Sequence, residues 1–468
     1  MAKPKTLSSL FDPRSIAVIG ATKKPGRVGR IVFENLERSG RRLYPVHPKE
    51  TELFGRPVAA DVSDLPDDVD LAVVAIGAKR AVEAAEACAR HGIGHIIVVA
   101  GGFGEAGEEG AELEARLRAI PQKYGSRVLG PNTLGVFLPH QNLDTIFVEH
   151  GDKALSGGGG VAFITQSGSV GVEALGLASN TGFGMRAFVG LGNKSDLDEL
   201  DFLRYFAGDE GTTCLAFYVE TLTQGRRFLS EAREVACKKP VVVLKAGRTE
   251  AGASAVSSHT GRLAGSDRVV DGAFRQHGIV RVADDEDLCD AAKALAALPP
   301  APGNRVAIVT PAGGYGVMGA DHVESIPGRA RLRMAKLEAA TEKRIQQATL
   351  PIASCHNPVD LTASATDEMF GAALDALIDD PGVDIIICTA FFAPPGISDG
   401  LIDEVARRCR VSSKPIMAFT QYGPFTDEHL RKFHQEGVVG FPSIRRSVRA
   451  AQVLVERAQI LDALGGGR

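Results

Sequence analysis

One histidine, His259, stands in a stretch unlike the rest of this chain. Residues 246–267 read AGRTEAGASAVSSHTGRLAGSD, with Gly247, Gly252, Gly261 and Gly265 among hydroxyl-bearing Ser254, Ser257, Ser258 and Thr260. Nothing in it could anchor a core, so the composition predicts a loop that presents the imidazole. The preceding run, PVVVL at 240–244, reads as a strand, so the loop leaves a sheet at the end where α/β proteins place their sites. A neutral imidazole can attack phosphorus. The phosphohistidine dianion so formed needs cations or backbone N–H donors around it, and Lys245 and Arg248 supply fixed positive charge beside the loop.

Three glycine-rich turns offer the N–H donors. The first follows the apolar run SIAVIG at 15–20 and reads ATKKPGRVG, ahead of a helical pattern with Val28, Ile31, Val32 and Phe33 on one side. Gly20, Gly26 and Gly29 do not fit G-x-G-x-x-G. The next strand, 43–46, ends in His47, Pro48 and Lys49 where a NAD site prefers a carboxylate for the ribose. A lysine there suits a phosphate on the ribose instead, as in the 3′-phosphate of coenzyme A. The second turn, QSGS at 166–169, follows the strand VAFIT, and the third, at 312–316, follows RVAIVT. Each opens a helix whose first N–H groups lack partners, which makes it a place for an anion.

Positioning these turns requires alternating strands and helices. Apolar runs at 71–76, 95–100, 214–219, 383–389 and 415–419 complete an α/β pattern with parallel sheets covered on both faces. At 468 residues the chain exceeds one core. The expected division is a Rossmann-like domain over 8–150, a flavodoxin-like domain over 151–299 and a second one over 300–468, the last two separated by LPPAPGN at 298–304. A net charge of −4 gives no pull toward nucleic acid or anionic membrane. The seven scattered cysteines include no C-x-x-C pair, which predicts reduced thiols in a cytoplasm and no metal site. No run of eighteen apolar residues predicts a membrane span.

The segments KAGRTEAG and SSHTGRLAGSD closely resemble the phosphohistidine loop of the α subunit of ADP-forming acyl-CoA synthetases, relatives of succinyl-CoA synthetase. The family typically has Ala where Arg262 stands. Further segments resemble the same family: IGAT at 19–22, PVHPK at 45–49, AGGFGEAGEEG at 100–110, LGPNTLG at 129–135, GLGNKSDLDELDFL at 190–203 and NPVDL at 357–361. The resemblance implies that His259 is the phosphorylated residue and that Glu220 hydrogen-bonds its ring, fixing the tautomer so that the other nitrogen is nucleophilic. It further implies that Gly20, Ala21, Thr22 and Lys49 contact coenzyme A, with Gly101 lining its path, and that Asn132 faces the acyl group and phosphate. Ser167, Gly168 and Ser169 would hold phosphate at one helix, and Gly313 and Gly314 at another.

No G-x-x-x-x-G-K-[ST] loop occurs. The resemblance therefore implies that ATP or ADP, with Mg, binds an ATP-grasp β subunit in an α2β2 assembly. The reaction expected is carboxylic acid plus CoA plus ATP giving acyl-CoA, ADP and phosphate, reversibly, on a small carboxylic acid. Two other readings share some of these features. A NAD-dependent oxidoreductase would share the first domain, though the loop spacing and Lys49 argue against it. A non-catalytic CoA or acyl-CoA sensor would need no nucleotide site, and the intact His259 and Glu220 weigh against that.

Overall fold

The computed structural model describes residues 6–148, 159–181, 183–260 and 266–465. The chain packs as two compact units, one of residues 1–175, 185–235 and 243–281, the other of 176–184, 236–242 and 282–468.

The first sheet is parallel and built from β1 (Ser15–Ile19), β2 (Arg42–Val46), β3 (Leu71–Val74), β4 (His95–Val98) and β5 (Arg127–Leu129), in the order β2-β1-β3-β4-β5. All of β1, β3 and β4 are buried, as expected of uninterrupted apolar strands covered on both faces. The helix Val28–Glu37 covers one face through Gly29, Val32, Phe33 and Leu36, a helical spacing that places all four toward the sheet. Burying a side chain such as Phe33 is worth about 1.5–3 kcal/mol.

The second sheet contains β6 (Val136–Leu138), β7 (Leu143–Asp144), β8 (Val161–Thr165), β9 (Met185–Gly190), β10 (Cys214–Val219), β11 (Val241–Lys245) and β12 (Val280–Arg281), in the order β12-β11-β10-β8-β9-β6-β7. β8 runs parallel to β9 and β10, whereas β6 joins β9 antiparallel. The hairpin of β6 and β7 thus belongs to this sheet, although it follows β5 of the first within seven residues.

The third sheet, in the second unit, has β13 (Arg305–Thr310), β14 (Arg333–Met334), β15 (Val359–Asp360), β16 (Ile385–Thr389), β17 (Ile416–Phe419) and β18 (Gly440–Phe441). Its path is β14-β13-β16-β17-β18, with β15 also paired to β13. Strands expected at 161–165, 214–219 and 305–310 occupy those residues. No helix among the described residues is long and apolar enough to cross a membrane.

One expectation fails in a specific way. Residues 250–260, expected as loop, form the helix Glu250–Thr260. Thr249 explains its start: its hydroxyl accepts from the Gly252 N–H at 3.1 Å, and alanines at 251, 253 and 255 favour the helix that follows. His259 falls in the last turn. Its side chain, and the whole of Arg262, lie outside the described residues.

Candidate functional site

A cavity of about 750 Å³ opens at the C-terminal ends of β1, β2 and β3. Gly20 and Thr22 line it, as do Val28 and Gly29 at the start of the helix Val28–Glu37. No side chain caps that helix, so its first N–H groups remain available to an anion. Two glycines make this approach possible. A Cβ on Gly29 would stand 2.0 Å from the Gly20 carbonyl oxygen, and one on Gly20, where φ is +90°, would stand 2.4 Å from Ile76 Cγ2. Apolar Val46, Val62, Ile76, Ala84 and Ala87 form part of the wall, and Lys24, Arg27, Arg80 and Arg90 outnumber the carboxylates of Asp61 and Glu83. An apolar wall, a cationic rim and an uncapped helix start together fit a ligand with a flat ring system and phosphates.

Ala21 is fully buried behind this turn. Lys49 is exposed, directly after the lining residues His47 and Pro48. The His47 Nδ1 accepts from the backbone N–H groups of Lys49 at 3.2 Å and Glu50 at 3.3 Å, which sets the course of the chain there.

Gly101 and Asn132 meet: a Cβ on Gly101 would lie 3.2 Å from Asn132 Oδ1 and 3.3 Å from Glu105 Oε1. Asn132 has a positive φ of 58°, and its amide donates to Asn193 Oδ1 at 3.4 Å. Asn193 in turn donates to Glu105 at 2.5 Å and Glu114 at 3.0 Å. Burial opposes charge on Glu105, yet the Asn193 amide and the N–H groups of Phe103 and Gly102 outweigh it and hold the carboxyl below its usual range. The sequence shows the segments containing Glu105 and Asn193 but gives neither a role, because the bond that joins the two spans 88 residues.

Glu220 follows β10 and is 6% exposed, unlike most strand-end glutamates. Its N–H donates to Gln166 Oε1 at 2.9 Å, which joins it to the turn of Ser167, Gly168 and Ser169. That turn is shaped by Thr165, whose hydroxyl donates to the Ser167 carbonyl at 2.8 Å and accepts from the Ser167 N–H at 3.1 Å. The hydroxyls of Ser167 and Ser169 stand 3.0 Å apart at the mouth of the helix Gly168–Thr181. On the neighbouring strand Lys245 is buried, with its Nζ donating to the Ala246 carbonyl at 2.6 Å. Burial, together with the positive charge of Arg281, pushes the Lys245 ammonium below the usual lysine range, while Glu220 works the other way. The arrangement gathers a carboxylate, a cation, hydroxyls and free backbone donors at the ends of β8, β10 and β11, a set suited to a phosphoryl group.

In the second unit Gly313 and Gly314 open the helix Gly313–Ser325, which no side chain caps. A Cβ on Gly313 would lie 2.7 Å from Asp360 Oδ2, whereas Gly314 faces open space. Among the described residues no cluster of His, Cys, Asp or Glu could hold a metal ion.

The family described as CoA binding domain matches residues 14–139, and the succinyl-CoA ligase-like flavodoxin domain matches residues 158–295. The chain is 35% identical to the acetate–CoA ligase [ADP-forming] II subunit alpha of Pyrococcus furiosus, over 98% of this chain and 99% of that one. It is 37% identical to the corresponding I subunit alpha of the same organism, over 96% and 97%. Among solved structures, the dinucleotide-forming acetyl-coenzyme A synthetase 1 of Ca. Korarchaeum cryptofilum, in complex with phosphate and ADP, superposes with a TM-score of 0.87 at 32% identity, covering 98% of each chain.

Proposed function

Because this chain belongs to the family of ADP-forming acetate–CoA ligase α subunits, we propose that it interconverts a small carboxylic acid, CoA and ATP with acyl-CoA, ADP and phosphate by way of a phosphohistidine at His259. The observation that carries this reading is the buried Glu220, joined through Gln166 to the serine turn and set beside Lys245. In the direction of ATP formation, phosphate attacks the thioester carbonyl, the C–S bond breaks and CoA leaves as its thiol, giving an acyl phosphate. An imidazole nitrogen of His259 then takes the phosphoryl group and the carboxylate departs. Glu220 accepts the proton on the other ring nitrogen and stabilises the positive ring as the bond forms. Ser167, Gly168 and Ser169 donate to the phosphoryl oxygens, and Asn132 orients the acyl group beside Gly101.

CoA fits the cavity of the first sheet: Gly20, Ala21 and Thr22 hold its pyrophosphate with the helix start at Val28, and Lys49, exposed just past the lining residues His47 and Pro48, reads its 3′-phosphate. Gly313 and Gly314 offer phosphate the backbone donors of their own helix. The phosphorylated histidine next serves ADP, which with Mg belongs to a separate β subunit. We assign that subunit an ATP-grasp fold, an α2β2 assembly with this chain and a cytoplasmic setting. The functional modules proposed for this chain are residues 8–150, 151–299 and 300–468. Acetate, the acid named for the relatives, is the first to try.

The test is to supply acetyl-CoA and labelled phosphate. Label should appear on His259 as an acid-labile, alkali-stable phosphoramidate, and His259→Ala should abolish it while CoA affinity stays within about twofold. Label that survives in His259→Ala, or that behaves as a serine ester, overturns the reading.

A further inference from the structure

The side-chain amide of Gln166 has only one way to face. Its Oε1 accepts from the backbone N–H of Glu220 at 2.9 Å and from that of Thr221 at 3.2 Å. Two donors require an oxygen opposite them, so Nε2 must point away. Nε2 has no acceptor among the described residues. A half-exposed amide would ordinarily rotate to suit solvent, but this one is held from several sides. The Gln166 N–H donates to the Tyr218 carbonyl at 3.0 Å. Lys194 Nζ donates to the Thr221 carbonyl at 2.6 Å and pairs at 3.0 Å with Glu199, both side chains wholly buried. The second oxygen of Glu199 accepts from the Thr223 N–H at 2.5 Å. The peptide that orients Gln166 is therefore itself fixed.

Gln166 directly precedes the turn of Ser167, Gly168 and Ser169, and its oxygen reaches the backbone of Glu220, so its free donor belongs to the residue that links the two. We propose that Gln166 Nε2 donates a hydrogen bond to the phosphoryl oxygens during transfer, which makes Gln166 a substrate-contacting residue of the reaction. This rests on the phosphohistidine reading above. A donor locked in place by protein contacts needs no reorganisation when charge develops, and removal of one such donor elsewhere costs about 100–1,000-fold in rate.

Gln166→Glu separates anchoring from donation. It keeps an oxygen against the Glu220 and Thr221 N–H groups and replaces the free donor with an oxygen that repels phosphate. With acetyl-CoA and labelled phosphate, we expect kcat/KM for phosphate in histidine labelling to fall about 100-fold or more. CoA affinity and Tm should stay as in the unsubstituted chain, and the rise in Tm on adding phosphate should disappear while the rise on adding CoA persists. Gln166→Met, uncharged and of similar size, distinguishes loss of the donor from charge repulsion, and its KM for phosphate should rise too; it also carries the test if Gln166→Glu does not fold. Unchanged kcat/KM for phosphate in either folded variant overturns the inference and leaves the histidine reading standing. Absence of label from the unsubstituted chain overturns that reading itself.

Discussion

The turns after β8 and β13 share a frame and differ in chemistry. In each, the threonine that ends the strand closes the turn onto the residue two ahead: Thr165 bonds both the N–H and carbonyl of Ser167, and Thr310 bonds both of Ala312 at 3.1 and 3.0 Å. In each, a glycine six residues after the threonine packs against its methyl group, Gly171 at 3.0 Å and Gly316 at 3.3 Å from where a Cβ would stand. Yet the first turn carries Gln166, Ser167 and Ser169 where the second carries Pro311, Ala312 and Gly314. The first lies beside buried Glu220 and Lys245, the second beside Asp360. A frame of this kind provides backbone donors wherever it occurs. Side chains decide whether the same frame also orients a base and grips an oxyanion.

If that division is right, the carboxylates beside the two turns are not equivalent. Glu220→Gln should slow histidine labelling about 100-fold, since an oriented acid or base contributes 10²–10⁴. Asp360→Asn should leave the rate within about twofold, because Asn keeps the Oδ1 that accepts from the Thr362 N–H at 2.9 Å. Rapid-quench labelling of both variants measures this, and comparable losses would abolish the distinction.

The frame can be probed without touching the chemistry. A Cβ on Gly171 would meet Phe188 Cζ at 2.7 Å, whereas on Gly316 the nearest atom is Pro358 Cβ at 3.2 Å. Gly171→Ala should cost about 1–3 kcal/mol through overpacking, partly offset by helix propensity. For Gly316→Ala the two effects should nearly cancel, leaving stability within about 1 kcal/mol. Urea unfolding of the two variants compares them directly, and an equal loss would show that the two frames are packed alike.

The smallest effect belongs to single hydroxyls. Ser169→Gly should raise KM for phosphate about three- to fivefold, the worth of one neutral hydrogen bond of about 1 kcal/mol. Gly314→Ser, which adds a hydroxyl in open space, should change it less than twofold. A larger effect at 314 than at 169 would reverse the assignment of chemistry to the first turn.

How much of this could be read in advance follows from where each signal resides. The run VAFIT is a strand by its own composition, and β8 occupies those five residues. The helix Glu250–Thr260 was missed because glycine and serine suggest a loop, while the evidence for a helix was a single capping threonine and three alanines. The strand Met185–Gly190 passed unremarked, with an arginine inside it that pairs with Asp209 at 2.7 Å. In the site, the glycine-rich turns were visible as local patterns. The roles of Gln166, Asn193 and Lys194 were not, since the partners Glu220, Glu105 and Thr221 lie 54, 88 and 27 positions away.

The segment LGPNTLG, from the last residue of β5 to the residue before β6, also has a mechanical meaning. The Asn132 N–H donates to the Ala100 carbonyl, just past β4 of the first sheet, at 2.8 Å, and the hydroxyl of the next residue, Thr133, donates to Gly190 of β9 in the second at 2.5 Å. These two bonds belong to a seam fastened along its length: the Ser195 N–H donates to the Gly130 carbonyl at 3.0 Å, the Leu197 N–H to the Val128 carbonyl at 3.1 Å, and Arg127 pairs with Asp196 at 2.9 Å. Asn132 is thus mounted on a riveted joint, where its backbone is held on both sides and only its side chain is left to respond to what binds.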